Sequence, residues 1–255
     1  MSASVVKVGG SLLADPGRLC AVLAGLADGR DGPAVIVPGG GPFADAVRAA
    51  QEALGFGDRL AHRLALDAMG RMAEVFRELE PRLCVVRGVE DAAASLASGA
   101  AVWEPVRLRS GHADIAETWN VTSDSLALWL ATRLQAARCI LIKSVPCPVD
   151  ADPSTLSRAG LVDGASPQFA RDFDGEIVIR GPFDERTVQR ARETLSSRPL
   201  PHPEMRGEAE PRRNAPVGAG HSGALFRGRA AAPRDEGEDG VGRRTHRPGS
   251  TDAAA

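Results

Sequence analysis

The stretch Ser4-Val5-Val6-Lys7-Val8-Gly9-Gly10-Ser11 decides the fold class. Three valines around one lysine predict a short buried strand that starts almost at the first residue. The strand stops at two glycines and a serine, where backbone amides without a neighbouring Cβ can approach a ligand closely. A lysine at the end of such a strand is well placed to meet phosphate oxygens. A plain strand with a snorkelling lysine would show the same residues. Composition adds weight to the first reading. The chain carries 31 Lys+Arg, of which only Lys7 and Lys143 are lysine. Lysine is a compact point charge, whereas guanidinium is a wide planar fork, and a narrow site for a moving phosphoryl group can require the former.

The rest of the chain repeats the same grammar. Asp15-Pro16 predicts a helix cap with proline at the first helical position, followed by Leu19, Val22, Leu23 and Leu26 at helical spacing. Ala34-Val35-Ile36-Val37 predicts a second buried strand ended by Pro38-Gly39-Gly40-Gly41. Pro42 opens a helix with Phe43, Val47 and Leu54 on one face, and a longer helix follows over 58–80. Further strands are expected over 83–87, 101–108, 139–142 and 176–180, with helices over 90–97, 122–134 and 184–195. Residues 109–119 and 145–174 are expected to be loop-rich. Apolar strands alternating with helices predict a parallel sheet covered on both faces. After about Arg198 the composition turns to Pro, Gly, Arg, Glu and Ala, which cannot offset ordering entropy by burial. Residues 199–255 are therefore expected to form a disordered tail behind a domain spanning 1–198.

Net charge is −2, so nothing points to a general nucleic-acid or acidic-membrane binder, and no apolar run is long enough to span a membrane. The four cysteines, Cys20, Cys84, Cys139 and Cys147, lack CxxC spacing and are expected to be buried reduced thiols of a cytoplasmic protein.

Gly39-Gly40-Gly41 between a buried strand and a helix start predicts a phosphate cradle, since open amides and the positive helix end favour an anion. The triplet also matches GxGxxA through Ala44. That dinucleotide fingerprint belongs after a first strand, however, and the next strand here ends in Arg87 rather than an acid. No GxxxxGK[ST] occurs. Asp124 falls in the first turn of its helix. It serves either as a favourable N-terminal acid or as the carboxylate that orients both lysines or holds Mg²⁺.

Taken together, Val5-Val6-Lys7-Val8-Gly9-Gly10-Ser11, Val35-Ile36-Val37-Pro38-Gly39-Gly40-Gly41, Thr122-Ser123-Asp124-Ser125-Leu126-Ala127 and Leu141-Ile142-Lys143-Ser144-Val145 resemble the amino acid kinase superfamily in content and order. The resemblance spans about Ser4 to Leu195. It implies a three-layer α/β/α sandwich with a mainly parallel sheet, an N-terminal half that binds the phosphoryl acceptor and a C-terminal half that binds ATP with Mg²⁺. It implies γ-phosphoryl transfer to a carboxylate, carbamate or phosphate. Lys7, Asp124 and Lys143 become the catalytic set, and Gly9, Gly10, Ser11, Gly39, Gly40, Gly41, Ser144 and Asp150 the phosphate and ATP contacts.

A narrower likeness runs through Pro38-Gly39-Gly40-Gly41-Pro42-Phe43-Ala44-Asp45-Ala46-Val47-Arg48, His62 with Ala68-Met69, and Trp119-Asn120-Val121-Thr122-Ser123-Asp124-Ser125. It is similar to the aminomethylfuran phosphate kinase group, which makes a diphosphate during methanofuran-type cofactor synthesis. That implies a small phosphate-monoester acceptor, with Arg48, Arg59 or Arg63 for its phosphate and Asp45 or Asp67 for its aminomethyl group. A carboxylate kinase of the acetylglutamate or aspartate type, and a non-catalytic nucleotide or oxyanion binder, stay open as alternatives. A homo-oligomer is compatible with the resemblance. The chain departs from the common pattern in its nucleotide half: arginines such as Arg158 and Arg171 stand where many members carry a second lysine, and Pro146-Cys147-Pro148 replaces the usual Asp-Gly.

Overall fold

The computed structural model describes residues 3–148 and 151–182. The opening valines form β1 (Ser4–Val8), every residue of which is buried. Gly10–Ala14 is a tight 3-10 turn. Helix α1 (Pro16–Ala27) follows, capped as expected by the Asp15 side chain accepting from the Arg18 amide. Strand β2 (Ala34–Pro38), helices α2 (Gly41–Leu54) and α3 (Asp58–Leu79), strand β3 (Cys84–Val86), helix α4 (Val89–Ser95) and strand β4 (Ala100–Trp103) complete the first half. The second half holds α5 (Ser123–Arg133), β5 (Arg138–Ile142), the short helices α6 (Pro153–Arg158) and α7 (Ser166–Arg171), and β6 (Glu176–Arg180).

The six strands form one sheet in the order β3-β4-β2-β1-β5-β6, and each neighbouring pair is parallel. β1 is central. Val8 lies level with Pro38 on one side and Ile142 on the other, so the loops after β1, β2 and β5 leave the sheet at one height. Such a crevice outside the carboxyl ends of parallel strands is where α/β folds bind ligands. Alternation along β1 divides the core. Val6 and Val8 join Leu19, Leu23 and Phe76 on one face, whereas Val5 joins Leu126, Leu130 and Trp129 on the other. Lys7 shares the side of Val5 and therefore faces α5.

Several expectations need correction. The strand expected over 101–108 stops at Trp103, because Pro105 cannot donate to the ladder and opens a 3-10 turn over Pro105–Ser110. The loop-rich stretch 145–174 contains α6, started by Asp152 accepting from the Ser154 and Thr155 amides, and α7. On α2 the expected apolar face does not enter the core. Phe43 and Leu54 are exposed, and Ala44 is the buried residue of the helix. Of the cysteines only Cys139 is buried. Cys20 sits on the outer side of α1, Cys84 on an edge strand, and Cys147 is half-buried. The helix expected over 184–195 and the tail over 199–255 lie outside the described residues.

The two glycine loops touch backbone to backbone. A Cβ on Gly10 would stand 2.3 Å from the Gly41 Cα and 2.4 Å from its nitrogen, and one on Gly39 would stand 2.6 Å from the Gly10 nitrogen. Gly41 itself has φ of 53°, in the left-handed region that favours glycine. Gly10→Ala is expected to force these loops apart and lower stability by about 1–3 kcal/mol, the usual range for overpacking. Urea unfolding measures this, and an unchanged midpoint would contradict the contact.

Candidate active site

Register and helix geometry bring the three predicted charges together. Lys7 on β1 stands beside Val37 and Leu141, and its Nζ lies 3.0 Å from Asp124 Oδ1. Lys143 follows the last residue of β5, and its Nζ donates to the same Oδ1 at 2.7 Å. The two ammonium groups thus share one carboxylate oxygen. All three residues are buried, at 8%, 7% and 6% exposure for Lys7, Lys143 and Asp124. Burial alone would push the Asp124 carboxyl up, but the two lysines outweigh it and hold its pKa below the usual value. Lys143 moves the other way. Burial first, and repulsion from Lys7 second, bring it down to about 8 against the opposing pull of Asp124.

Asp124 is presented in the first turn of α5, where the helix dipole favours an anion. The capping expected from Thr122 or Ser123 is supplied by a residue the sequence did not single out. Asp163, from the loop before α7, accepts from the amide and Oγ1 of Thr122, both at 2.8 Å, and from the Ser125 amide at 3.0 Å. The same carboxylate accepts from the hydroxyl of Ser125 and from the amide and hydroxyl of Ser166. It therefore ties the start of α5 to the start of α7. Its sequence signal is no more than an Asp-Gly turn, and its partners Thr122 and Ser125 lie 41 and 38 residues away.

A cleft of about 330 Å³ opens beside Lys7. Its lining includes Gly9, Gly10, Ser11, Gly39, Gly40 and Gly41 at one end and Asp45 and Arg48 on α2. Lys7 Nζ leans over Gly9, within 3.1 Å of where a Cβ would stand. Asp124, Lys143 and Ser144 do not line the cleft. Ser144 is joined to Ser11 through their hydroxyls at 3.0 Å, which links the β5 end to the first glycine turn.

The predicted acceptor residues divide. Arg48 is held by Asp45 at 2.8 Å and lies over the Trp119 ring, 4.4 Å from its centroid. Arg63 stands outside the lining, because its guanidinium is committed to Glu117 at 2.6 Å, and Arg59 pairs with the same carboxylate. Asp67 pairs with Arg109. Asp150 lies outside the described residues. His62 and Trp119 line the cleft, although the sequence reading gave them no task. Among the described residues no group of three or more His, Cys, Asp or Glu could hold a metal ion. The arrangement offers two ammonium groups and glycine amides, a set suited to stabilising phosphoryl oxygens by position and charge.

Comparison with known proteins agrees with this chemistry. Residues 3–101 match the model of the amino acid kinase family. The [5-(aminomethyl)furan-3-yl]methyl phosphate kinase of Methanocaldococcus jannaschii is 32% identical over 202 residues, covering 72% of this chain and 90% of its own. The chain belongs to the amino acid kinase family. It is a phosphotransferase, and within the family its kinship is with that phosphate kinase. Solved structures share the fold. Uridylate kinase from Archaeoglobus fulgidus matches with a TM-score of 0.57 at 17% identity, covering 75% of this chain and 96% of its own. UMP kinase from Bacillus anthracis matches with a TM-score of 0.56 at 16% identity, covering 76% and 92%. Aspartate kinase from Synechocystis matches with a TM-score of 0.55 at 17% identity, covering 72% and 38%. Among the described residues no helix is long and apolar enough to cross a membrane.

The lowered pKa of Lys143 sets a pH window. Its charged form prevails below about 8 in the folded chain, against an ordinary 10.5. Between those values the unfolded chain binds more protons, so this group's contribution to folding stability rises with pH. Affinity for a phosphoryl donor should fall over the same window, because a neutral amine attracts phosphate poorly. The expected result is an alkaline limb in kcat/KM near pH 8 without loss of the melting transition. In Lys143→Arg, which stays charged, the limb should vanish whatever the absolute rate. A limb that persists there would assign it to another group.

Proposed function

We propose that the protein transfers the γ-phosphoryl group of Mg·ATP in line to a small phosphate monoester. The observation that carries this reading is the pair of lysines on Asp124 Oδ1 beside two touching glycine loops, at one end of a cleft with an apolar middle. The named relative acts on a phosphate monoester, which makes that acceptor class the first choice for this chain, in a step of methanofuran-type cofactor synthesis. We assign the acceptor to the N-terminal half, the nucleotide to the C-terminal half and the activity to residues 1–198.

Lys7 would meet the transferring phosphoryl oxygens, with Gly9, Gly10 and Gly39–Gly41 giving amides to the flanking phosphates. Asp124 would not touch substrate. It would hold Lys7 and Lys143 at a spacing no greater than the sum of their two distances to its Oδ1. Asp163 would keep Asp124 in place through the helix start. Mg²⁺ supplies charge neutralisation on the nucleotide phosphates.

An ATP-consumption screen across phosphate monoesters, amino acids and carbamate tests the reading. ADP formation with a phosphate monoester is expected, and turnover only with a carboxylate would overturn it. ATP binding without turnover on any acceptor would leave a non-catalytic binder. Lys7→Ala is expected to lower kcat by roughly 10²–10³-fold, the usual cost of one charge-assisted contact in the transition state. Lys7→Arg should not restore it, because the wider fork does not fit among five glycines in contact. Near-normal kcat in a well-folded Lys7→Arg protein would refute the assignment.

A further inference from the structure

The cleft has a second end that phosphoryl transfer does not use. Met72 on α3 packs against Gly41, and His62 stands almost three helical turns earlier on α3, roughly 15 Å of rise. Ala65, Leu66 and Met69 line the cleft between them. The wall therefore runs from a cationic, amide-lined end, along an apolar strip, to an imidazole.

His62 is only 4% exposed and lines the cleft. Its Nδ1 lies 3.2 Å from the Thr118 carbonyl oxygen. A carbonyl cannot donate, so this hydrogen bond requires the proton on Nδ1, and a neutral imidazole then carries a bare lone pair on Nε2. Burial pushes the imidazole pKa below its ordinary value, against smaller opposing effects of Thr118 and Glu117, which favours that neutral form. No donor meets Nε2 among the described residues. Nor is it sealed in: the fully enclosed side-chain atoms without a partner there are Arg18 Nε, Trp103 Nε1 and Trp129 Nε1. The nearby carboxylates are already engaged, Asp45 with Arg48 and Glu117 with Arg63 and Arg59. Nε2 is thus an open acceptor of fixed tautomer, far from the phosphate end.

We propose that His62 Nε2 accepts a hydrogen bond from a primary ammonium at the far end of the phosphoryl acceptor, and so selects amine-bearing acceptors. This rests on the phosphate-monoester reading above. An acceptor with its phosphate and its aminomethyl group on opposite sides of one flat ring, as in the relative's name, matches the order of cationic end, apolar strip and lone pair. His62 is a specificity-determining residue, with no part in the bond-breaking step.

The test compares the (5-(aminomethyl)furan-3-yl)methyl phosphate with its analogue bearing methyl in place of aminomethyl, each with ATP. In His62→Leu the ratio of kcat/KM for amine over methyl acceptor is expected to fall about 10–100-fold, the usual cost of a hydrogen bond to a charged group. His62→Gln, whose side-chain carbonyl still accepts, should keep most of that ratio. An unchanged ratio in His62→Leu would overturn the proposal. Should His62→Leu fail to fold, the imidazole ¹⁵N spectrum of the wild-type protein decides. Nε2 should shift with the amine and hold with the methyl analogue, and an equal shift with both would overturn it. Wild-type turnover of both acceptors at equal kcat/KM defeats His62 alone. Wild-type turnover of neither defeats the phosphate-monoester reading and this inference with it.

Discussion

One carboxylate oxygen between two buried ammonium groups is the constraint on which the site depends. Two cations this close repel, and burial removes the water that would screen them. Asp124 makes the pair tenable, and the lowered pKa of Lys143 shows that it compensates only in part. The cost has a use. On the reading proposed above, a phosphoryl group beside Lys7 would meet charge already in position and would need no reorganisation at the moment of transfer. Loss of Asp124 would leave two uncompensated buried cations, because its Oδ1 is the oxygen that both ammonium groups share.

The rest of the fold can be read as support for that contact. Lys7 reaches Asp124 because strand alternation turns it toward α5, with Val5 on the same side. Lys143 reaches it because β5 runs parallel beside β1 and ends at the same height. Asp124 stays in place because Asp163 satisfies backbone and hydroxyl donors on both sides of it. The start of α5 is thereby tied to the short helix α7 rather than to its own cap, so the C-terminal half helps to position a group that serves the N-terminal strand.

The glycine loops impose the complementary constraint. Their backbones are in contact at Gly10, Gly39 and Gly41, which leaves no room for a side chain on Gly10 or Gly39. Lys7 stands beside these loops in a chain whose other Lys or Arg positions, Lys143 apart, are all arginine. Where space is open the arginines serve instead. Arg48 lies over the Trp119 ring, and Arg59 and Arg63 neutralise Glu117.

Local signals in the chain determined the alternation of strands and helices, the two glycine loops, the Asp15 cap and the identity of Lys7, Asp124 and Lys143 as the charges to watch. Each of these rests on near neighbours: a run of valines, a proline after a cap, a glycine pair at a strand end. Tertiary structure alone decided what lies beyond that range. It assigned the capping of α5 to Asp163, turned Phe43 and Leu54 outward on α2, paired Arg63 with Glu117 away from the cleft, and set His62 and Trp119 in its wall. A residue's chemistry and local spacing are written in its neighbourhood. Which carboxylate meets which guanidinium depends on where two distant helices come to rest, and no short-range pattern encodes that.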